Sequence, residues 1–185
     1  MKFLINLLIL FFITYFQSSN YSQNIGFEVH NNKGTINSIF LKNNQIIFEI
    51  DSNVNEIKNI YIFSNQSNAD SFLNNPIFDL KPRRKIELHK GVNLYIDAYS
   101  NVDYAKNYTD NVRAEIVGSI IQVDDIKIEY FKRIGQNSTI GIVGKLKSVN
   151  GIPISYHKNY SENQRAGYTG KLEKIGNTTF KYHNL

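Results

Sequence analysis

The chain has 185 residues, no cysteine and no tryptophan, 42% hydrophobic residues, and 21 basic against 16 acidic side chains. The lack of cysteine excludes a disulfide framework, a thiolate metal site and an amino-terminal lipid on cysteine, so a lipoprotein is ruled out. A net charge of +5 is too dilute for the concentrated basic footprint of a nucleic-acid binder, and no nucleic-acid partner is expected.

Residues 1–23 read as a signal peptide. Lys2 supplies the positive start, Phe3 to Phe16 is apolar apart from Asn6 and Thr14, and Ser18, Ser19 and Ser22 precede Gln23-Asn24. The apolar run falls short of the ~20 residues that span a bilayer, so the expectation is cleavage, with no stable membrane span afterwards. Its removal leaves 20 basic residues against 16 acidic. A secreted, periplasmic or cell-surface location follows.

Residues 24–110 form an N-terminal β region in this reading. Short strands are expected at Gly26 to His30, Thr35 to Leu41, Gln45 to Asp51 and Glu56 to Phe63, divided by asparagine-rich turn signals. From 64 to 84 the alternation lapses. Asn68 to Leu73 suits a helical turn, while Pro76 and Pro82 forbid long regular structure. Lys81-Pro-Arg-Arg-Lys85 is the densest basic cluster, and Arg83, Arg84 and Lys85 are candidate binding residues for an anion or polysaccharide. Strands resume at Lys85 to Leu88 and Val92 to Tyr99. After a loop around Asn101 to Asp110, Val112 to Ile121 is expected as a strand leading into a repeat region, residues 111–185.

That region states one pattern three times at equal intervals, from Gly118 to Tyr130, Gly144 to Tyr156 and Gly170 to Tyr182. Counting each glycine as zero, apolar residues fall at position two (Ile120, Leu146, Leu172) and position five (Val123, Val149, Ile175). They also fall on even positions up to the tyrosine at twelve. Spacing by two is the strand period. Asp124-Asp125, Asn150-Gly151 and Gly176-Asn177 lie between the two halves and suit tight turns, so each copy is expected to be a β-hairpin. A plain two-residue turn would put position two on the wet face. A bulge residue or a three-residue loop restores the parity, and then each glycine would face its tyrosine across the hairpin. Isolated hairpins are marginal, so the copies should lie side by side. The expected fold is mainly β, an antiparallel sheet of repeated β-hairpins with a 26-residue repeat.

Catalytic motifs are missing. There is no Gly-x-Ser-x-Gly elbow, phosphate-binding glycine loop or His-Glu-x-x-His in the sequence. Position thirteen carries Phe131, His157 and His183, expected on the polar face and kept as candidate binding residues. Two histidines without further nitrogen or carboxylate neighbours make a poor metal set. No catalytic residue, metal or cofactor is assigned.

The Gly-Lys-Leu-Lys-Ser-Val and Gly-Lys-Leu-Glu-Lys-Ile-Gly-Asn starts, with Ile-Ser-Tyr and Phe-Lys-Tyr ends, resemble uncharacterised secreted bacterial proteins built from G-K-[LI]-K-S-I-G-N and [IF]-x-Y-Y hairpin repeats. More distantly they are similar to the YD-repeat surface proteins, although no aspartate follows the tyrosines here. The resemblance covers 116–183 and implies an exported β-repeat protein without catalytic residues. The expected function is a non-enzymatic binding or structural role at the cell envelope, with a polysaccharide or a surface protein as partner. The alternatives are a secreted enzyme or inhibitor with a site in the 64–110 segment, and a small outer-membrane barrel.

Overall fold

The computed structural model describes residues 23–29, 36–51, 56–74, 82–89, 91–139 and 141–182. Residues 1–22 of the expected signal peptide, Lys81 and His183 lie outside the described residues, while Gln23, its last expected residue, is described as the first of a strand. The described residues form two sheets, and the fold is mainly β.

The first sheet has the order β1-β2-β3-β4-β6-β5. Its strands are β1 (Gln23–Val29), β2 (Ile36–Asn43), β3 (Ile46–Asp51), β4 (Glu56–Ile62), β5 (Arg84–His89) and β6 (Val92–Ile96). Neighbours pair antiparallel except for β4 and β6, which are parallel, with Ile60 opposite Leu94. A parallel pair needs a crossover, and here it contains helix α1 (Gln66–Asn74) and β5. The helix begins where Asn65 Oδ1 accepts the Asn68 amide at 2.8 Å, satisfying one of the unpaired donors at its start. Ala69 and Phe72, three residues apart and so on one helical face, bury against Phe40, Ile47, Tyr61 and Phe63. Lys42, fully buried, meets Asp70 of the helix at 2.8 Å.

The second sheet is a seven-strand antiparallel meander of β7 (Val102–Tyr104), β8 (Ile120–Val123), β9 (Ile126–Tyr130), β10 (Leu146–Val149), β11 (Ile152–Tyr156), β12 (Leu172–Ile175) and β13 (Thr178–Thr179). Hairpins β8–β9, β10–β11 and β12–β13 close on two-residue turns, pairing Val123 with Ile126, Val149 with Ile152 and Ile175 with Thr178. The extra residue sits inside the first strand, at position three. Opposite the preceding strand, the ladder steps over Ile121, Lys147 and Glu173. Those bulges turn position two inward, so Ile120, Leu146 and Leu172 join Val123, Val149 and Ile175 in the core. The same core takes Phe48, Ile60, Leu94 and Ile96 from the first sheet, so the two sheets pack face to face.

The expected glycine–tyrosine pairs do not form. The Gly118, Gly144 and Gly170 amides donate to the carbonyls of Ala105, Phe131 and His157, each at 2.9 Å, on the strand or loop before the hairpin. These glycines have φ of 80, 79 and 78°. They are needed for a left-handed backbone step into the bulged strand rather than for room beneath an aromatic ring. Tyr130 pairs instead with Leu146, and Tyr156 with Leu172, of the following copy.

The stretch from Val112 to Ile121 is also not a continuous strand. Residues Thr109–Arg113 form a helical turn, α2, and its counterparts are a 3-10 turn (Gly135–Asn137) and α3 (Ser161–Arg165). The segments that precede the three hairpins therefore share a local structure. Asn111, Asn137 and Asn163 donate through Nδ2 to the carbonyls of Lys106, Lys132 and Lys158 at 2.8, 2.7 and 2.8 Å. The side-chain bond fixes the loop before each turn.

A Cβ at Gly118 would meet nothing within 4 Å, so its substitution tests conformation alone. Gly118→Ala is expected to lower stability by about 1–2 kcal/mol and Gly118→Asn by less, read from urea midpoints. Asp70→Asn removes the half-exposed partner of the buried Lys42 ammonium and should cost about 1–2 kcal/mol, while Lys42→Met, which removes that charge, should be close to neutral. Equal losses for the two variants would contradict this.

Candidate functional site

The described residues of the basic cluster do not all share one face. Arg84 and Lys85 are consecutive in edge strand β5, so they point to opposite sides of the sheet. Arg84 Nη1 donates to the Ser100 carbonyl at 3.1 Å, and Lys85 Nζ lies 5.9 Å from the Tyr95 ring centre. Arg83 is exposed beside them. Phe131 and His157, expected on the polar face, are half-buried against aromatic rings instead. Phe131 meets the Tyr156 ring edge-on at 5.9 Å, and His157 sits 5.7 and 5.6 Å from Tyr168 and Tyr182. Both of these position-thirteen side chains thus pack on the next copy's tyrosine. Among the described residues no group of three histidine, aspartate or glutamate side chains could hold a metal.

One polar cluster, absent from the sequence reading, lies on the helix-bearing face of the first sheet. Glu49 is buried and accepts hydrogen bonds from Tyr61 Oη at 2.5 Å, Asn59 Nδ2 at 2.6 Å and Ser38 Oγ at 3.1 Å. Asn93 Nδ2 donates in turn to Asn59 Oδ1 at 3.0 Å. A buried carboxylate supplied with this many donors is held rather than poised for chemistry.

A cleft of about 260 Å³ opens between the two sheets, lined by Glu56, His89, Tyr130, Lys145 and Tyr156 with apolar neighbours. Lys145 Nζ meets Glu56 at 3.0 Å, donates to the Gly170 carbonyl at 3.1 Å and lies 5.1 Å from the Tyr156 ring centre. The same lysine–tyrosine contact recurs one copy later, Lys171 Nζ being 5.8 Å from the Tyr182 ring. In the first copy Ser119 replaces the lysine, and His89 of β5 fills the space. Its ring packs on Tyr130 at 5.5 Å, and its Nδ1 is 2.7 Å from Ser119 Oγ. Ser119 is only 5% exposed and does not line the cleft, so the pair fastens β5 to the repeat sheet rather than presenting a nucleophile.

Two larger grooves run along the second sheet, and they are related by the repeat. The first, 540 Å³, is lined among others by Ile116, Glu129, Tyr130, Lys132 and Lys147. The second, 420 Å³, is lined by Ile142, Ser155, Tyr156, Lys158 and Glu173. Every one of these five positions advances by one repeat from the first groove to the second, and Phe131 and Asn137 line both. In the first groove Glu129 accepts a 2.6 Å bond from Ser148 Oγ and lies 3.4 Å from Lys147 Nζ. The Ser148 bond above all, with Lys147 adding to it, outweighs desolvation and holds the Glu129 carboxyl below its ordinary value. The signal for these grooves was in the sequence, in the recurrence of Lys132 and Lys158 at the repeat interval, but it lay in segments read as linkers.

Comparison with protein-family models, curated proteins and solved structures finds no match for this chain. The chemistry of these grooves therefore carries the functional reading by itself.

Burial raises the Tyr61, Tyr130 and Tyr156 hydroxyls above the ordinary tyrosine value of 10.0, and raises Tyr182 up to about 12. Because the folded values are the higher ones, the stability these groups contribute is whole below about pH 10 and declines as pH climbs through the folded values. A urea midpoint that is level up to about pH 10 and falls above it is expected, along with delayed tyrosinate absorbance. An ordinary tyrosine titration in the folded chain would contradict the burial.

Proposed function

We propose that this chain is an exported, non-enzymatic β-repeat protein whose second sheet binds a surface polymer or a partner protein at the cell envelope. The supporting observation is the pair of grooves offset by one copy of the repeat. Translation along a sheet offers a ligand the same contact more than once, which suits an extended partner. Both grooves combine apolar walls with a few fixed polar groups, the usual composition of a binding surface.

The enzyme reading has one observation in its favour, the 2.7 Å contact between His89 and Ser119. The burial of Ser119 and its place as the counterpart of Lys145 and Lys171 favour the structural role.

The test is to express the full chain in a secreting bacterial host and to sequence the amino terminus of the exported product. A terminus near Asn24 is expected. The product is then measured against envelope fractions and a glycan array. Lys147→Trp and Ser155→Trp, which fill the first and second grooves, should each weaken binding about tenfold, or ~1.4 kcal/mol, with unchanged melting. The Arg83→Ala, Arg84→Ala double variant should bind like the parent. Retention of the chain in the cytoplasm, binding by neither fraction nor array, or full binding by both groove variants would overturn the proposal.

A further inference from the structure

The loops that precede the three hairpins expose the same kind of side chain three times. Tyr108, Ile134 and Tyr160 occupy one repeat position and are 64, 69 and 57% exposed, and each stands at the start of its helical turn. Two residues before each is an exposed lysine, Lys106, Lys132 or Lys158. The carbonyl of that lysine accepts two bonds. One comes from the backbone amide of Tyr108, Ile134 or Tyr160 at 2.8, 2.9 and 2.8 Å. The other comes from the asparagine side chain five residues on. The backbone that carries the lysine and its apolar neighbour is thus held in one arrangement in all three copies. Such preorganisation lowers the ordering cost of binding.

The core makes no use of these side chains. Regularly spaced exposed apolar groups are a liability in solution unless something covers them. The surrounding charge says what that something carries. Residues 106–117, 132–143 and 158–169 hold six cationic side chains (Lys106, Arg113, Lys132, Arg133, Lys158 and Arg165) against three acids (Asp110, Glu115 and Glu162). Lys132 lies 3.4 Å from Asp110, and both side chains are more than half exposed, so that pair is weak and open to exchange. Successive copies are two strands apart, which sets the spacing along the edge at about 9.6 Å, or ~19 Å over three copies.

Building on the polymer-binding reading above, we infer that this edge is a ridge for a linear acidic polysaccharide. Each copy offers one ammonium to an anionic group and one apolar side chain to a sugar face. A chain of uronic acids, with alternate carboxylates directed to one side, matches a contact repeated at two-strand intervals. Tyrosine rings stack on the apolar faces of sugars, and lysine supplies a mobile point charge that tolerates variation in the anion's position. Individually the contacts are weak, and their strength comes from linking three of them on one polymer.

The experiment uses the full exported chain with polygalacturonate fragments of graded length, the same fragments fully methyl-esterified, and polyphosphate. Acidic fragments should bind at least about tenfold more tightly than the esters, with affinity rising until a fragment spans ~19 Å and falling with added salt. Lys132 and Lys158 also line the two grooves, so Lys106→Ala, at the lysine that lines neither, should by itself weaken acidic-fragment binding severalfold. The Lys106→Ala, Lys132→Ala, Lys158→Ala variant should lose most of that affinity. The Tyr108→Ser, Tyr160→Ser variant should lose affinity for the glycan and little for polyphosphate. All of these positions are exposed, and unchanged melting checks the fold. Equal binding of acid and ester, or an unaffected lysine variant, would overturn the ridge. Polyphosphate binding as tight as the glycan's, with the tyrosine variant unaffected, would overturn the sugar component. Groove-dependent binding of neutral polymer alone would sink the ridge while leaving the polymer-binding reading intact, and absence of binding to every polymer and envelope fraction would remove both.

Discussion

The bulge at position three of each hairpin fixes which side of the second sheet is dry. Side chains alternate along a strand, so a single added residue reverses the facing of everything beyond it. With Ile121, Lys147 and Glu173 stepped over, positions two and five both face the first sheet although they are an odd number of residues apart. Without the extra residue, Leu146 and Leu172 would point to water. The left-handed glycine two residues before position two has a related task, turning the chain from the helical turn into the bulged strand. Its amide then bonds the segment left by the previous copy, so the device that orients one hairpin also joins it to its neighbour.

The contact between sheets shows how the copies adapted to unequal surroundings. In the second and third copies a lysine at position one lies near the face of the tyrosine at twelve, a contact of about 0.5–2 kcal/mol according to its exposure. The first copy abuts β5, where a lysine would compete with His89. Serine at that position accommodates the imidazole, and the ring takes over the tyrosine contact. The tyrosine hydroxyl has a further role in the outer two copies. Tyr130 donates to the Ile120 carbonyl at 2.6 Å, and Tyr182 donates to the Leu172 carbonyl. A phenylalanine would fill the same space and leave those carbonyls without that donor.

Much of this was legible from local pattern. Alternation located the strands of the first sheet and of the three hairpins but not β7, which lies in the stretch expected as a loop. The paired turn residues located the hairpin tips, and the parity of Ile120, Leu146 and Leu172 called for a bulge or a three-residue loop, of which the structure has the bulge. The partners of the glycines were misread, because the cross-hairpin register near the bulge is decided by the preceding strand. The parallel pairing of β4 with β6 has no local signature, being made through a crossover whose helix is short. The helical turns were missed for another reason. The recurring Asn111, Asn137 and Asn163 were hidden among 25 asparagines, and a side-chain bond to a carbonyl five residues back leaves no hydrophobic period to detect. The helical turn before Leu73 was visible because Ala69 and Phe72 are apolar and one turn apart.

A translational repeat also bears on what kind of site this sheet can build. Catalysis requires unlike groups to converge once, in one geometry, whereas a shift by one repeat copies like groups at intervals. The two grooves keep their shape residues, Ile116 and Ile142 or Tyr130 and Tyr156, and keep Lys132 and Lys158. They change where charge is added, Glu129 becoming Ser155 and Lys147 becoming Glu173. Shape is thus constant between the two grooves while charge differs. That division follows from the bulge once more, because position three, the residue the ladder steps over, contributes Lys147 to one groove and Glu173 to the other. The irregularity that keeps the core dry therefore also supplies the charge that differs between the two grooves.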